Sequence, residues 1–194
     1  MKIGITGGIG SGKSFFARRL QAEGYHVYNC DDEAKRLMQH DAEIRRRLTD
    51  LIGPETYLAD GRLNKAAVAE YLFANPQNAA NVNAIVHPAV KADFLRWADR
   101  QQGKPCFMES AILYEANFQT MVDKIILVWA DEPTRLRRAI ERDQTTAESV
   151  RERMAQQLPA EQLQAWADYV VDNSATADTQ AETARLLRWI ATQQ

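Results

Sequence analysis

Apolar residues along this chain fall into compact blocks set between longer stretches of helical spacing. Lys2 to Thr6, His26 to Cys30, Pro105 to Glu109, Ile125 to Asp131 and Trp166 to Asn173 each read as a short strand. Runs such as Ile125-Ile126-Leu127-Val128 are apolar throughout rather than alternating, as strands of a parallel sheet are when both faces are covered. After the first strand, Phe16 and Leu20 lie four apart and Gly24 follows, which predicts a helix that a glycine ends. The terminal stretch from about Thr179 to Thr192 carries Ala184, Leu187 and Ile190 at helical spacing, a stripe suited to packing on the sheet.

From about Leu37 to Arg100 the pattern changes and no strong β run occurs. Asp41 can cap a helix over 42–52 that Gly53-Pro54 terminates, and Asp60-Gly61 marks a turn. Asn64 can cap 65–73, Asn75-Pro76 opens a further helix, and Pro88 is expected to open another that runs to about Gln101. Some seventy residues thus separate the second strand from the third, far more than the dozen or so a parallel crossover needs. They read as an all-helical insertion that builds a pocket wall.

Composition changes this picture little. The 194 residues are 45% hydrophobic and 26% charged, with a net charge of −2, ordinary globular values that give no chain-wide attraction to nucleic acid or anionic membrane. The first strand begins at Lys2 and no apolar run approaches the length of a membrane span, so a soluble cytoplasmic protein is expected, and a monomer. Cys30 and Cys106 lack metal-ligand spacing and read as two buried thiols.

The chemistry begins at Gly7-Gly8-Ile9-Gly10-Ser11-Gly12-Lys13-Ser14, which matches the phosphate-binding P-loop pattern G-x-x-x-x-G-K-[ST] between a predicted strand and a predicted helix. Glycines let backbone N–H groups close around a phosphate, and the helix N-terminus adds its unpaired donors and dipole. The nucleotide-binding set is Gly8, Gly10, Ser11, Gly12, Lys13, Ser14 and Phe15. Lys13 supplies charge to the β/γ-phosphates of ATP, and the Ser14 hydroxyl supplies one ligand to Mg²⁺.

Asp31 follows the second strand, where working residues of open α/β sheets stand, and is a candidate general base; as a helix N-cap it would serve structure alone, and Asp32 is the alternative cap that leaves Asp31 facing the site. Two later strands end in acids. Glu109 is the preferred second Mg²⁺ ligand, and Asp131 before Glu132-Pro133 competes with it but suits an N-cap. Arg135, Arg138 and Arg142 share one helix face and read as phosphate clamps on a lid that continues through Gln144 to Gln157; the alternative is a solvated basic helix. Arg137 can pair with Glu141, and Arg45-Arg46-Arg47 reads as a solvated face. His87, before Pro88, suits a cap or pocket-wall residue better than a proton carrier.

These parts compose a small kinase. Its fold class is α/β, P-loop and nucleoside-monophosphate-kinase-like, with a five-stranded parallel sheet flanked by helices. The expected division is a core of 1–36, 104–132 and 158–194, a helical acceptor-binding insertion of 37–103 and an Arg-rich lid of 133–157.

Nearly end to end the sequence also resembles the dephospho-coenzyme A kinase family. The resemblance rests on Thr6 to Ser14, Asp31, Asn83-x-Ile85-x-His87-Pro88-x-Val90 and Ile112-Leu113-Tyr114-Glu115. It continues through Arg138, Arg142-Asp143, Arg153, Gln156-Gln157, Ala167-Asp168 and Asp172-Asn173. Two positions depart: Asn29 stands where the family has the first acid of Asp-x-Asp, and Ala111 where it has a proline. The resemblance implies phosphoryl transfer from ATP to the ribose 3′-hydroxyl of dephospho-coenzyme A, the last step of coenzyme A synthesis. It implies that the helical insertion recognises the acceptor and that Arg138 and Arg142 belong to the lid; Lys13, Asp31, Arg138 and Arg142 are expected to act in catalysis and Asp31, His87 and Leu113 to meet the acceptor. A nucleoside monophosphate kinase shares the core but not the His-Pro element. A GTPase would need an [NT]-K-x-D base reader, whereas Asn64-Lys65 is followed by Ala66-Ala67. Nucleotide-dependent partner binding without turnover is the remaining alternative.

Overall fold

The computed structural model describes residues 1–101 and 103–193. The chain forms two compact units, Met1–Tyr28 with Ala98–Gln194, and Asn29–Trp97.

The first unit is built on the sheet. Its strands are β1 (Lys2–Thr6), β2 (His26–Asn29), β3 (Cys106–Glu109), β4 (Lys124–Trp129) and β5 (Tyr169–Asp172), in the order β2-β3-β1-β4-β5. β1 is the centre. It runs parallel to β3 with Ile5 opposite Glu109, and parallel to β4 with Ile5 opposite Ile126; β4 pairs in turn with β5, Val128 opposite Val171. The core gathers Ile3, Ile5, Phe107, Ile126, Val128 and Val171 from the strands with Phe16, Leu20, Leu186 and Ile190 from helices. Each such side chain contributes roughly 1.5–3 kcal/mol when fully buried.

Phe16 and Leu20 belong to α1 (Lys13–Ala22), and both are buried. Gly24 ends this helix as the sequence predicts: at φ +80° it lets its own N–H bond to the Gln21 carbonyl and the Tyr25 N–H to the Leu20 carbonyl, a Schellman motif. In the terminal helix α9 (Thr179–Ala191) the buried row is Glu182, Leu186 and Ile190; of the expected stripe Ile190 is in that row and Leu187 packs half-buried against the core, while Ala184 is half-buried. A glutamate hid that row. Glu182 is tolerated there because its carboxylate accepts the Asp172 N–H at 3.3 Å and pairs with Arg185 at 3.0 Å. Trp166 ends a helix, α8 (Ala160–Trp166), instead of opening the last strand. Cys30 and Cys106 are buried. No helix among the described residues is long and apolar enough to cross a membrane.

The second unit is helical, with α2 (Cys30–His40), α3 (Ala42–Ile52), α4 (Lys65–Ala74) and the greater part of α5 (Pro76–Asp99). Asp41 and Asn64 cap α3 and α4 through the amides of Ile44 and Ala67, as expected. Pro88 does not start a helix. It lies inside the 24-residue α5, whose buried Val82, Val86, Val90 and Phe94 form one unbroken i+4 row. Packing along that row outweighs the cost of roughly 3 kcal/mol that an interior proline imposes. The basic run also divides. Arg46 is exposed and pairs with Glu43 and Asp50, but Arg45 stacks on the Tyr57 ring at 3.8 Å and donates to the carbonyls of Gln39 and Gly61.

Candidate active site

The loop between β1 and α1 is packed from beneath and from one side. At Gly10 and Gly12 φ is +77° and +94°, and a Cβ would collide with the Arg135 carbonyl at the first and with the Asn173 carboxamide at the second. No other residue type fits both demands. The Lys13 ammonium donates to the Gly7 and Gly8 carbonyls at 2.8 and 3.2 Å, so it lies folded along its own loop. The Ser14 hydroxyl donates to Glu109 Oε1 at 2.6 Å across 95 residues of sequence, and Glu109 is buried. A hydroxyl and a carboxylate oxygen side by side at the loop's end form a donor pair suited to a hard divalent cation. Ser11 is fully buried, and it meets its surroundings through the backbone: its N–H donates to the Gly8 carbonyl.

Helix α6 (Glu132–Asp143) lies against this loop. Asp131 is its N-cap, accepting the Thr134 N–H at 2.9 Å, and that bond holds its carboxyl below the usual range. The competitor for the metal is thereby engaged as a cap. Arg135 crosses Gly8 and Gly10, and Arg138 donates to the Asn173 carbonyl at 2.8 Å. Beside them a cavity of about 290 Å³ is lined by Gly12, Phe15, Arg138, Asn173 and Thr179.

Arg142 faces elsewhere. It makes two bonds to Asp143, at 2.7 and 3.0 Å, and Arg153 from α7 (Ala147–Ala155) makes a third at 2.8 Å. Among the described contacts none joins Arg142 to the P-loop. These arginines, Arg142 first, hold the Asp143 carboxyl far below the usual carboxylate range. A depressed pKa means a stabilising contribution that is complete above the unfolded value of about 4 and fades as pH falls through the folded one. Asp143→Asn should therefore lower the melting temperature at pH 7 by about 2 °C, and by progressively less below pH 4, in parallel thermal scans.

The chain matches the family model described as dephospho-CoA kinase over residues 1–179. A dephospho-CoA kinase of Bacteroides fragilis is 42% identical over 177 residues, covering 89% of this chain and 84% of that protein. The chain belongs to the dephospho-CoA kinase family. A solved structure from Thermus thermophilus, 30% identical, superposes with a TM-score of 0.85 over 100% of this chain and 97% of that one. Dephospho-CoA kinase from Campylobacter jejuni, at 21% identity, shares the fold with a TM-score of 0.74 over 99% of this chain and 98% of that one.

Within the dephospho-CoA kinase fold, Asn29 has a definite part. Its side chain accepts the Asp32 N–H at 3.0 Å and caps α2, work that asparagine and aspartate do equally well. Neither Asp31 nor Asp32 is the cap; both lie in the first turn of the helix. His87 is not a cap either, being half-buried inside α5, where burial and then Lys91 push its pKa down. Leu113 is fully buried and packs over Gly4, so its side chain belongs to the core and offers no contact surface.

Two amides that the sequence reading named within the resemblance, with no role assigned, bond to the loop. One is Gln157, whose Oε1 accepts the Ile9 N–H at 2.7 Å. The other is Asn173, whose Nδ2 donates to the Ser11 carbonyl at 2.7 Å in a buried bond. In a planar trans peptide the C=O and the following N–H point opposite ways, so holding the Ser11 oxygen on Asn173 turns the Gly12 N–H to the other side. Asn173→Ala should weaken ATP and ADP alike by about tenfold, the effect of a buried carbonyl left without its donor. Nucleotide titration by calorimetry reads the effect; an unchanged affinity would make the bond incidental.

Proposed function

We propose that this chain transfers the γ-phosphoryl group of ATP to the ribose 3′-hydroxyl of dephospho-coenzyme A, yielding coenzyme A and ADP in the final step of coenzyme A biosynthesis. The observation that carries the reading is the P-loop with its Ser14–Glu109 contact, in a chain that the family spans over residues 1–179.

The core of 1–36, 104–132 and 158–194 holds the nucleotide. Backbone donors of Gly8 to Ser14 surround its phosphates, and the cavity beside Phe15 takes the adenine against an aromatic face. Ser14 and Glu109 are the residues that would hold Mg²⁺, which when bound supplies charge neutralisation at the β- and γ-phosphate oxygens. The insertion 37–103 recognises the acceptor, with His87 as a wall residue. Asp31 orients the 3′-hydroxyl and takes its proton as the oxygen bonds to the γ-phosphorus and the bond to the ADP oxygen breaks. Lys13 accompanies the transferring charge, and the 133–157 lid brings Arg138 and Arg142 to it. The enzyme acts as a cytoplasmic monomer on two small molecules.

The test offers ATP with dephospho-coenzyme A and, separately, with a panel of nucleoside monophosphates. ADP release with dephospho-coenzyme A exceeding that with every monophosphate by at least about 10³-fold in kcat/KM is expected, the discrimination of a site built around one acceptor's polar groups. A monophosphate that matches it would make this a nucleotide kinase instead.

A further inference from the structure

The position of Gln157 has a meaning beyond lid architecture. A P-loop amide is built to donate to phosphate oxygen, and here one of them, Ile9 N–H, donates to the Gln157 carboxamide oxygen at 2.7 Å. That oxygen sits in an anion's place. The place can be located along the triphosphate. Lys13, which reaches the β/γ-phosphates in such loops, has its ammonium on the carbonyls of Gly7 and Gly8, next to Ile9 in the chain. The cavity suited to the base lies at the other end of the loop, at Gly12 and Phe15. Ile9 and Gln157 therefore stand at the γ end. The Gln157 Nε2 is directed to the same side, 3.4 Å from the carbonyl of Ala111, two residues beyond Glu109.

We propose that Gln157 is a catalytic residue for phosphoryl transfer, a proposal that rests on the kinase reading above. Its Oε1 accepts the Ile9 N–H, a donor that a γ-phosphate oxygen is suited to take. When ATP enters, the Ile9 N–H passes to a γ-oxygen and the displaced carboxamide presents its two N–H donors to an equatorial oxygen of the transferring group. The transferring group flattens toward a planar, metaphosphate-like arrangement, so a donor placed to meet an equatorial oxygen in that geometry acts more strongly on the transition state than on bound ATP. Gln157 is well placed for such a turn. It lies in the short link between α7 and α8, half-buried, and the next residue is tethered to the protein by Leu158 N–H to Glu115 Oε1 at 3.4 Å.

The displacement gives the proposal a signature that a strut would lack. Removing the carboxamide deletes a competitor for the Ile9 N–H, so Gln157→Ala should lower kcat by roughly 10²-fold while the dissociation constant of ATP stays the same or falls. Gln157→Glu places a negative charge against the γ-phosphate; it should weaken ATP at least about tenfold more than ADP, which has no group at that position. The wild-type enzyme assayed with dephospho-coenzyme A is the reference. If it does not turn over, the kinase reading fails, and the ATP-against-ADP split still judges where Gln157 sits. The proposal is overturned if Gln157→Ala keeps kcat within threefold of an active wild type. It is also overturned if kcat, ATP affinity and melting temperature fall together, or if Gln157→Glu weakens ATP and ADP equally. Should Gln157→Ala lose its cooperative unfolding transition, the nucleotide split of Gln157→Glu decides alone.

Discussion

Replacing Lys13 by alanine should reduce kcat with saturating ATP and dephospho-coenzyme A by about 10³-fold or more, with the fold retained. The expected size follows from the reaction. Phosphoryl transfer leaves the protein little covalent work, so the barrier is lowered mainly by fixed positive charge and oriented donors, and a full charge removed from the β/γ region exceeds the roughly 10²–10³-fold loss of one neutral donor. The small structural cost follows from what Lys13 touches. Its ammonium bonds to the Gly7 and Gly8 carbonyls lie in a part-buried setting where solvent can replace them, and the loop itself is shaped by glycines against Arg135 and Asn173. A loss of about 1 kcal/mol in stability is the scale of such bonds. ADP release by coupled assay, run beside a thermal melt, checks both halves; activity within tenfold of wild type would remove the P-loop from the mechanism.

The contrast between what could and could not be read from the chain has a physical origin. Features whose cause lies within a few residues were legible: the P-loop, the glycine that ends α1, and the caps at Asp41, Asn64 and Asp131. The central strands β1, β3 and β4 were legible as apolar runs, because parallel strands inside a sheet are covered on both faces. Tertiary packing overrode local preference where the reading failed. Pro88 marks a helix start only if nothing larger favours continuation, and in α5 a row of buried side chains does. Glu182 marks a solvated face only if its carboxylate lacks partners, and here the sheet supplies the Asp172 amide. Arg45 differs from Arg46 through the Tyr57 ring, the Gln39 carbonyl and the Gly61 turn brought to it.

The same division runs through the site. Ser14 and Glu109 were each suspected from their own surroundings, but their contact spans 95 residues and needed the β1–β3 register to exist. Asn173 and Gln157 were named in the resemblance without a role, since a surface amide and an amide that holds a phosphate loop look alike in sequence. Leu113 shows the converse. The stretch that carries the resemblance there is explained by burial of its leucine over Gly4.

Asp31→Asn should lower kcat by roughly 10²–10³-fold while ATP affinity stays within about twofold, the behaviour of a group that acts on the acceptor hydroxyl and not on the nucleotide. The structure removes the rival explanation for such a loss. Had Asp31 been the cap of α2, the substitution would mix a helix-end defect with a chemical one. Asn29 is the cap, and it accepts the Asp32 amide. What remains to Asp31 structurally is the attraction of a first-turn carboxylate to the helix dipole, about 0.3–1 kcal/mol, and the isosteric amide forfeits only that. Asp32 supplies the internal control. It occupies the same turn and pairs with Lys35 at 3.0 Å on an exposed surface, so Asp32→Asn removes the same dipole term and leaves the proposed base in place. Kinetics of the two variants therefore separate the roles: a large kcat loss in the first alone assigns proton transfer to Asp31, whereas small and equal losses in both would return Asp31 to helix electrostatics and send the search for a base elsewhere.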